Sequence, residues 1–252
     1  MSLVLSLFPG LGLLDRAFEA EGFCVVRGPD VIWGGDVRTF QPPADRFDGV
    51  IGGPPCQAFS GLANLVRAKG LEPRFGNLIP EFSRCVELAS PRFFLMENVL
   101  KAPEPEPEGY NVVSFILNNC WLGEAQRRKR RFWYGTRGET PNLRRWIPGA
   151  ALELAESELA VCGNDGRMPD DRRRVKKAPV TGRHDGAVGS PQKSYEPERR
   201  TLADMLELQG LPRDWFDHQP WTVSAKRKMI GNGVPVPMGR AIAGAIRKAL
   251  AS

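Results

Sequence analysis

Hydrophobic positions along the chain follow two rhythms. The apolar runs "SLVLSLF" (2–8), "FDGVIGG" (47–53) and "RFFLMENV" (92–99) have the length and continuity of buried strands, and each gives way to a glycine turn, a Pro-Pro loop or a polar end. Between them, apolar residues recur at helical spacing over Leu13–Glu21 and over "NLIPEFSRCVELAS" (77–90). "FCVVRGPD" (23–30) and "VIWGGD" (31–36) read as short strand-like runs that end on Asp30 and Asp36. "GYNVVSFILNNCWLG" (109–123) reads as a later helix and "RRFWYGTR" (130–137) as a strand. Strand and helix alternate, which predicts an α/β fold with a parallel sheet covered on both faces.

The pattern decays from Arg137 to Arg199, where glycine, proline and charge dominate; only "GAALELAESELAV" (149–161) suggests a helix there. Periodicity returns at "TLADMLELQGLP" (201–212), with Thr201 placed as an N-cap, and in a final helix "VPMGRAIAGAIRKALA" (236–251). There is no internal repeat. The expected division is a catalytic and cofactor-binding part over 1–137, a small lobe or set of partner-binding loops over 138–198, and a return segment over 199–252.

Composition narrows the function classes. The 252 residues are 42% hydrophobic, enough for an ordinary core, and no run approaches the roughly 18 apolar residues of a membrane span. The start "MSLVLSLFPG" has no basic leader, so a cytoplasmic protein with no membrane partner is expected. The five cysteines are scattered and never form a CxxC pair, which argues against a disulfide framework or zinc site and for mostly buried packing thiols. His184 and His218 both sit in polar, loop-like surroundings, so acid-base chemistry must use other groups. A net charge of +6, concentrated in "QRRKRRFW" (126–133) and "DRRRVKK" (171–177), suits a polyanionic partner.

The candidate chemistry gathers at strand ends. "FPGLG" (8–12) is a glycine turn that lets backbone amides approach a ligand, and Asp30 and Asp36 could bind ribose hydroxyls and an adenine amino group. Cys56, held behind two prolines in "GGPPCQAFS", and Glu97 in "MENV" fall near neighbouring strand ends. Singly, a thiol there could be packing and a carboxylate a salt bridge; jointly they suggest covalent chemistry.

These segments, with "AQRRKRRFW", "RTLADMLELQGLP" and "GNGVPVPMGRAIA", stand in the order found in DNA (cytosine-5) methyltransferases, and the chain resembles that family over nearly its whole length. The resemblance implies a Rossmann-like S-adenosylmethionine-dependent methyltransferase fold with a small target-recognition lobe. It implies Cys56 as the nucleophile that adds to carbon 6 of cytosine, making carbon 5 able to take a methyl group. Glu97 would bond the ring N3 and amino edge, Arg130 the cytosine O2, and Arg128 would help hold the site and the nucleotide backbone. Strand alternation would put Arg128 and Arg130 on one face. Gln57, Ser60, Asn98 and Gln126 are expected on the substrate side. The resemblance further implies S-adenosylmethionine beside Phe8, Gly10 and Gly12, with Asp30 on the ribose, Asp36 on the adenine, Pro55 near the methyl end, and Asn232 and Val234 closing the pocket.

Two residues depart from the family's pattern: Ser6 where an aspartate is usual and Leu13 where another glycine is common. A helix is also missing between Asp30 and "GGDV", and the recognition region is short. The implied partner is double-stranded DNA, whose target base must be extruded to be reached. A monomer in a bacterial or phage-infected cell is expected, with a restriction nuclease as a possible partner. An RNA (tRNA) cytosine-5 methyltransferase and a catalytically silent DNA-binding regulator remain the alternatives.

Overall fold

A computed structural model describes residues 1–56, 59, 76–147 and 201–252. Six strands form one sheet: β1 (Leu3–Leu7), β2 (Cys24–Arg27), β3 (Gly49–Gly52), β4 (Phe93–Asn98), β5 (Asn111–Asn118) and β6 (Lys129–Thr136), in the order β2-β1-β3-β4-β6-β5. Strands β2, β1, β3 and β4 run parallel, whereas β6 lies antiparallel to β4. The sheet is therefore mixed, not wholly parallel. Residues 119–128 alone separate β5 from β6, fewer than the dozen or so that a parallel crossover needs.

Every residue of β3 and β4 is buried, which is why their apolar runs were legible as strands. Strand β2 is the open edge and is mostly exposed. Helix α1 (Leu13–Ala20) buries Leu13, Leu14, Ala17 and Phe18 and turns Arg16 and Glu19 to water. Helix α2 (Ile79–Ala89) opens with a proline and buries Ile79, Phe82, Cys85, Val86 and Ala89 against Leu7, Val50, Phe94 and Met96.

Two local expectations fail. "VIWGGD" is not a strand: Val31–Trp33 form a 3₁₀ turn, capped by the Asp30 carboxylate and closed by Gly34 at φ 81°. "GYNVVSFILNN" is strand β5 rather than a helix, with Val112, Val113 and Ile116 supplying the β-branched side chains that a helix restricts. Phe115 of β5 stacks on Phe132 of β6 at 5.7 Å between centroids, a cross-strand pair that helical spacing would not provide. The suggested helix over 149–161 lies outside the described residues.

The chain divides into two compact units. The first comprises Met1–Gly10, Phe18–Ile116 and Lys129–Asn142, and holds nearly all of the sheet; the second comprises Leu11–Ala17, Leu117–Arg128 and Leu143–Ser252. The second unit's described helices are α3 (Leu202–Leu208), α4 (Val223–Asn232) and α5 (Val236–Ala251). Thr201 caps α3 as expected, in a reciprocal capping box with Asp204. Leu13, Met205, Leu206, Leu208, Leu211, Phe216 and Ile230 form this unit's core. Leu13, the residue in place of a family glycine, fills space left by another: a Cβ on Gly233 would lie 2.4 Å from its Cδ1.

Candidate active site

In the first unit, the strand order reverses between β1 and β3, and open α/β sheets bind ligands outside the carboxyl ends at such a switch point. Phe8 and Gly10 follow β1, Asp30 and Asp36 follow β2, Pro55 and Cys56 follow β3, and Glu97 is the last residue but one of β4. Phe8 and Gly10 both take positive φ, 56° and 55°, and Gly12 takes 72°. A left-handed phenylalanine is uncommon and marks a turn held by its surroundings. Over Gly10 an added Cβ would meet nothing within 4 Å, so the turn faces open space.

Asp30 ties this turn to the segment after β2: its Oδ2 accepts from the Gly10 amide at 2.9 Å and its Oδ1 from Ile32 at 2.8 Å. Asp36 opens a second 3₁₀ turn, Val37–Thr39, and accepts from the Arg38 amide at 3.0 Å. The Arg38 guanidinium, which also reaches Asp36 through Nε and Nη2, holds its carboxyl below the usual aspartate value. These donors and acceptors fit an adenosine group: each carboxylate oxygen has more than one acceptor position, and the glycine turn leaves room for a ribose.

Glu97 is buried and its Oε1 lies 2.8 Å from Arg130 Nε. Gly53 lies close against it: a Cβ there would come within 3.1 Å of Oε2, so the carboxylate would have to shift. Asn98 is also buried; its Nδ2 donates to the Pro54 carbonyl at 3.0 Å, two residues before Cys56. The Pro-Pro-Cys loop is thereby tied to the end of β4. Cys56 itself is part-exposed, in contrast to buried Cys85, whose thiol is pushed up by burial. Cys24 is exposed and Cys120 part-exposed, so the expectation of mostly buried cysteines fails among the described ones; Cys85 alone fits it.

The second unit carries a buried polar clasp. Gln126 Nε2 donates to the Leu208 carbonyl at 2.6 Å. Arg128, 2% exposed, donates through Nη2 to the carbonyls of Gly231 and Gly233, each at 2.9 Å. Gln209 donates to Ile230 at 2.7 Å. The three residues thus hold the "LQG" and "GNG" segments together; in the latter Asn232 is exposed, and Val234 just after it is buried. Arg128 stops one residue short of β6, so strand alternation does not pair it with Arg130. Gln57 and Ser60 lie outside the described residues.

Sequence reading missed Gln209 and Arg84. Gln209 sits inside a motif whose partners lie over twenty residues away. Arg84 looks like a surface charge on an amphipathic helix, yet it donates to the Val37 and Phe40 carbonyls.

The loop that carries the Cys56 thiol is tied to the end of the strand that carries the buried Glu97–Arg130 pair, at the carboxyl ends of an open α/β sheet where ligands bind. Comparison with known proteins identifies the family. The model of the C-5 cytosine-specific DNA methylase family matches residues 32–161 and 156–248, and the chain belongs to that family. It is a DNA (cytosine-5-)-methyltransferase, and the family uses S-adenosylmethionine as methyl donor. The chain is similar to the type II methyltransferase M.NgoPII of Neisseria gonorrhoeae, at 26% identity over 98% of this chain and 96% of that one. The alignment runs over 333 positions against 252 residues here, so that relative carries internal segments this chain lacks. Among solved structures, the methyltransferase EhMeth of Entamoeba histolytica shares the fold at a TM-score of 0.64 and 12% identity, covering 99% of each chain. A putative DNA modification methyltransferase from an Escherichia coli prophage does so at 0.59 and 18%, covering 100% of each. Among the described residues no helix is long and apolar enough to cross a membrane.

Proposed function

We propose that Cys56 is the nucleophile and that Glu97 and Arg130 are its partners on a cytosine extruded from duplex DNA. The observation that carries this reading is the 2.8 Å Glu97–Arg130 pair beside Gly53, on the strand whose next residue anchors the Cys56 loop. The Cys56 thiolate bonds to carbon 6 while Glu97, in its protonated form once Arg130 has left it, gives its proton to N3, so no full charge builds on the ring. Arg130, by moving from Glu97 to the cytosine O2, stabilises the same charge and releases Oε1. S-adenosylmethionine, when bound, supplies an electrophilic sulfonium methyl group. Once carbon 5 has been methylated, loss of its proton to water reforms the ring double bond and expels the Cys56 thiolate, and the N3 proton returns to the Glu97 carboxylate.

The cofactor is assigned to Phe8, Gly10, Asp30, Asp36 and Pro55 in the first unit; Gly12, Asn232 and Val234, which fall in the second, are carried over from the resemblance alone. In the same reading Asn98 and Arg128 act on the protein rather than on the base. Residues 138–198 are assigned to target recognition. The chain acts as a monomer, with a nuclease of matching specificity as partner where the methyl mark serves defence.

Trapping on a duplex that carries 5-fluorocytosine tests the mechanism, because fluorine cannot leave as the proton does and the adduct persists. A covalent protein–DNA complex that forms with the wild-type chain and is lost in Cys56→Ser is expected. A complex of equal yield with Cys56→Ser would sink the assignment.

A further inference from the structure

We propose that Arg84 is the positioning residue of the adenine-recognising turn, holding the backbone from which Asp36 reaches the ligand. The proposal rests on the assignment of the cofactor to Asp36. No strand of the sheet carries Asp36; after β2 the chain makes two short turns, and the second, Val37–Thr39, is anchored in the core by buried Val37. Arg84 reaches it from α2. Its Nη2 donates to the Val37 carbonyl at 2.7 Å and its Nη1 to the Phe40 carbonyl at 3.0 Å. Its Nε donates to Glu81 at 2.7 Å, which fixes the plane of the guanidinium.

One rigid fork therefore bridges the carbonyls of the turn's first residue and of the residue that follows it, a geometry that a lysine ammonium cannot reproduce. Asp36 is held on its other side by Arg38, but that pair is exposed, 39% and 66%, and exposed pairs contribute little. An incoming amino group can compete with Arg38 for the carboxylate, whereas the Arg84 contacts lie behind the turn and persist. Without Arg84 the turn must be ordered when the ligand binds, and that ordering weakens affinity.

The test compares binding of S-adenosylhomocysteine and of S-inosylhomocysteine, which carries an oxygen in place of the 6-amino group, to the full chain by calorimetry. The wild type prefers the adenosyl ligand. Arg84→Ala is expected to weaken that ligand about three- to tenfold, the scale of ordering a few side chains and a loop. It should leave the inosyl ligand nearly unchanged, so that discrimination collapses. In an Asp36→Ala background the Arg84 change should add nothing. Arg84→Lys, which keeps the stem and one donor, should fall between, and it decides the matter if Arg84→Ala does not fold. Equal weakening of both ligands, undiminished discrimination, or a full Arg84 effect without Asp36 would each overturn the proposal. A wild-type chain that discriminates but loses nothing on Arg84→Ala overturns it alone; a wild-type chain that binds neither ligand overturns the cofactor assignment as well.

Discussion

Arg128→Met separates two arginines that stand two residues apart in one motif. The methionine keeps most of the buried volume but removes both Nη2 contacts to the Gly231 and Gly233 carbonyls. A hydrogen bond to a charged donor is worth about 1.5–3 kcal/mol, and each carbonyl left buried without a partner adds its own desolvation cost. With part of that loss recovered by relaxation, the change should destabilise the fold by about 3–5 kcal/mol, a large share of the roughly 5–15 kcal/mol that holds such a domain together. For a chain of this size the melting temperature should fall by about 6–20 °C. Scanning calorimetry of the two proteins without ligand is the assay. Gln209 shares the Gly233 acceptor at 3.3 Å, so Gln209→Leu and Arg128→Met should be non-additive. If Arg128→Met melts within about 2 °C of the wild type, the clasp contributes nothing and the stabilising role assigned to Arg128 is wrong.

Two further outcomes follow from packing and burial. Gly233→Ala should cost about 1–3 kcal/mol, because the new Cβ would sit 2.4 Å from Leu13 Cδ1; denaturant melts should show Leu13→Ala and Gly233→Ala together costing less than the sum of the two. Tyr134 is 1% exposed, and burial pushes its phenol up to about 12. Because the folded value lies above the unfolded one near 10, the contribution is intact below about pH 10 and fades as pH rises through about 12, reaching about 2–3 kcal/mol. Alkaline melts should show that loss in the wild type and not in Tyr134→Phe; identical alkaline profiles would refute it.

Much of this architecture was legible because burial on both faces leaves continuous apolar runs, as in β1, β3 and β4. The closing helix was legible to the residue, from Val236 to Ala251, since its apolar stripe is sustained. Strand β5 was not, because its apolar cluster fits either period and only the pairing of Phe115 with Phe132 decides it. The Val31–Trp33 turn escaped for a related reason: short apolar runs read as strands unless the capping aspartate and the left-handed glycine are weighed. Helix α4 went unread because basic residues interrupt its apolar stripe. At the site, motif order singled out the thiol, the carboxylate and the arginines as candidates, but it did not encode their hydrogen bonds. Arg128 meets a carbonyl 103 residues away, and no local pattern encodes such a partner. Gln57, Ser60 and most of 138–198 fall outside the described residues, so target recognition stands on sequence alone.

Methylation sequencing of DNA from cells expressing the intact chain, beside cells expressing Cys56→Ala, tests the central claim most directly. New 5-methylcytosine at one short sequence, present with the thiol and absent without it, is the predicted result. The same marks in the Cys56→Ala sample, or none in either, would contradict thiol-dependent transfer to carbon 5 of cytosine in DNA.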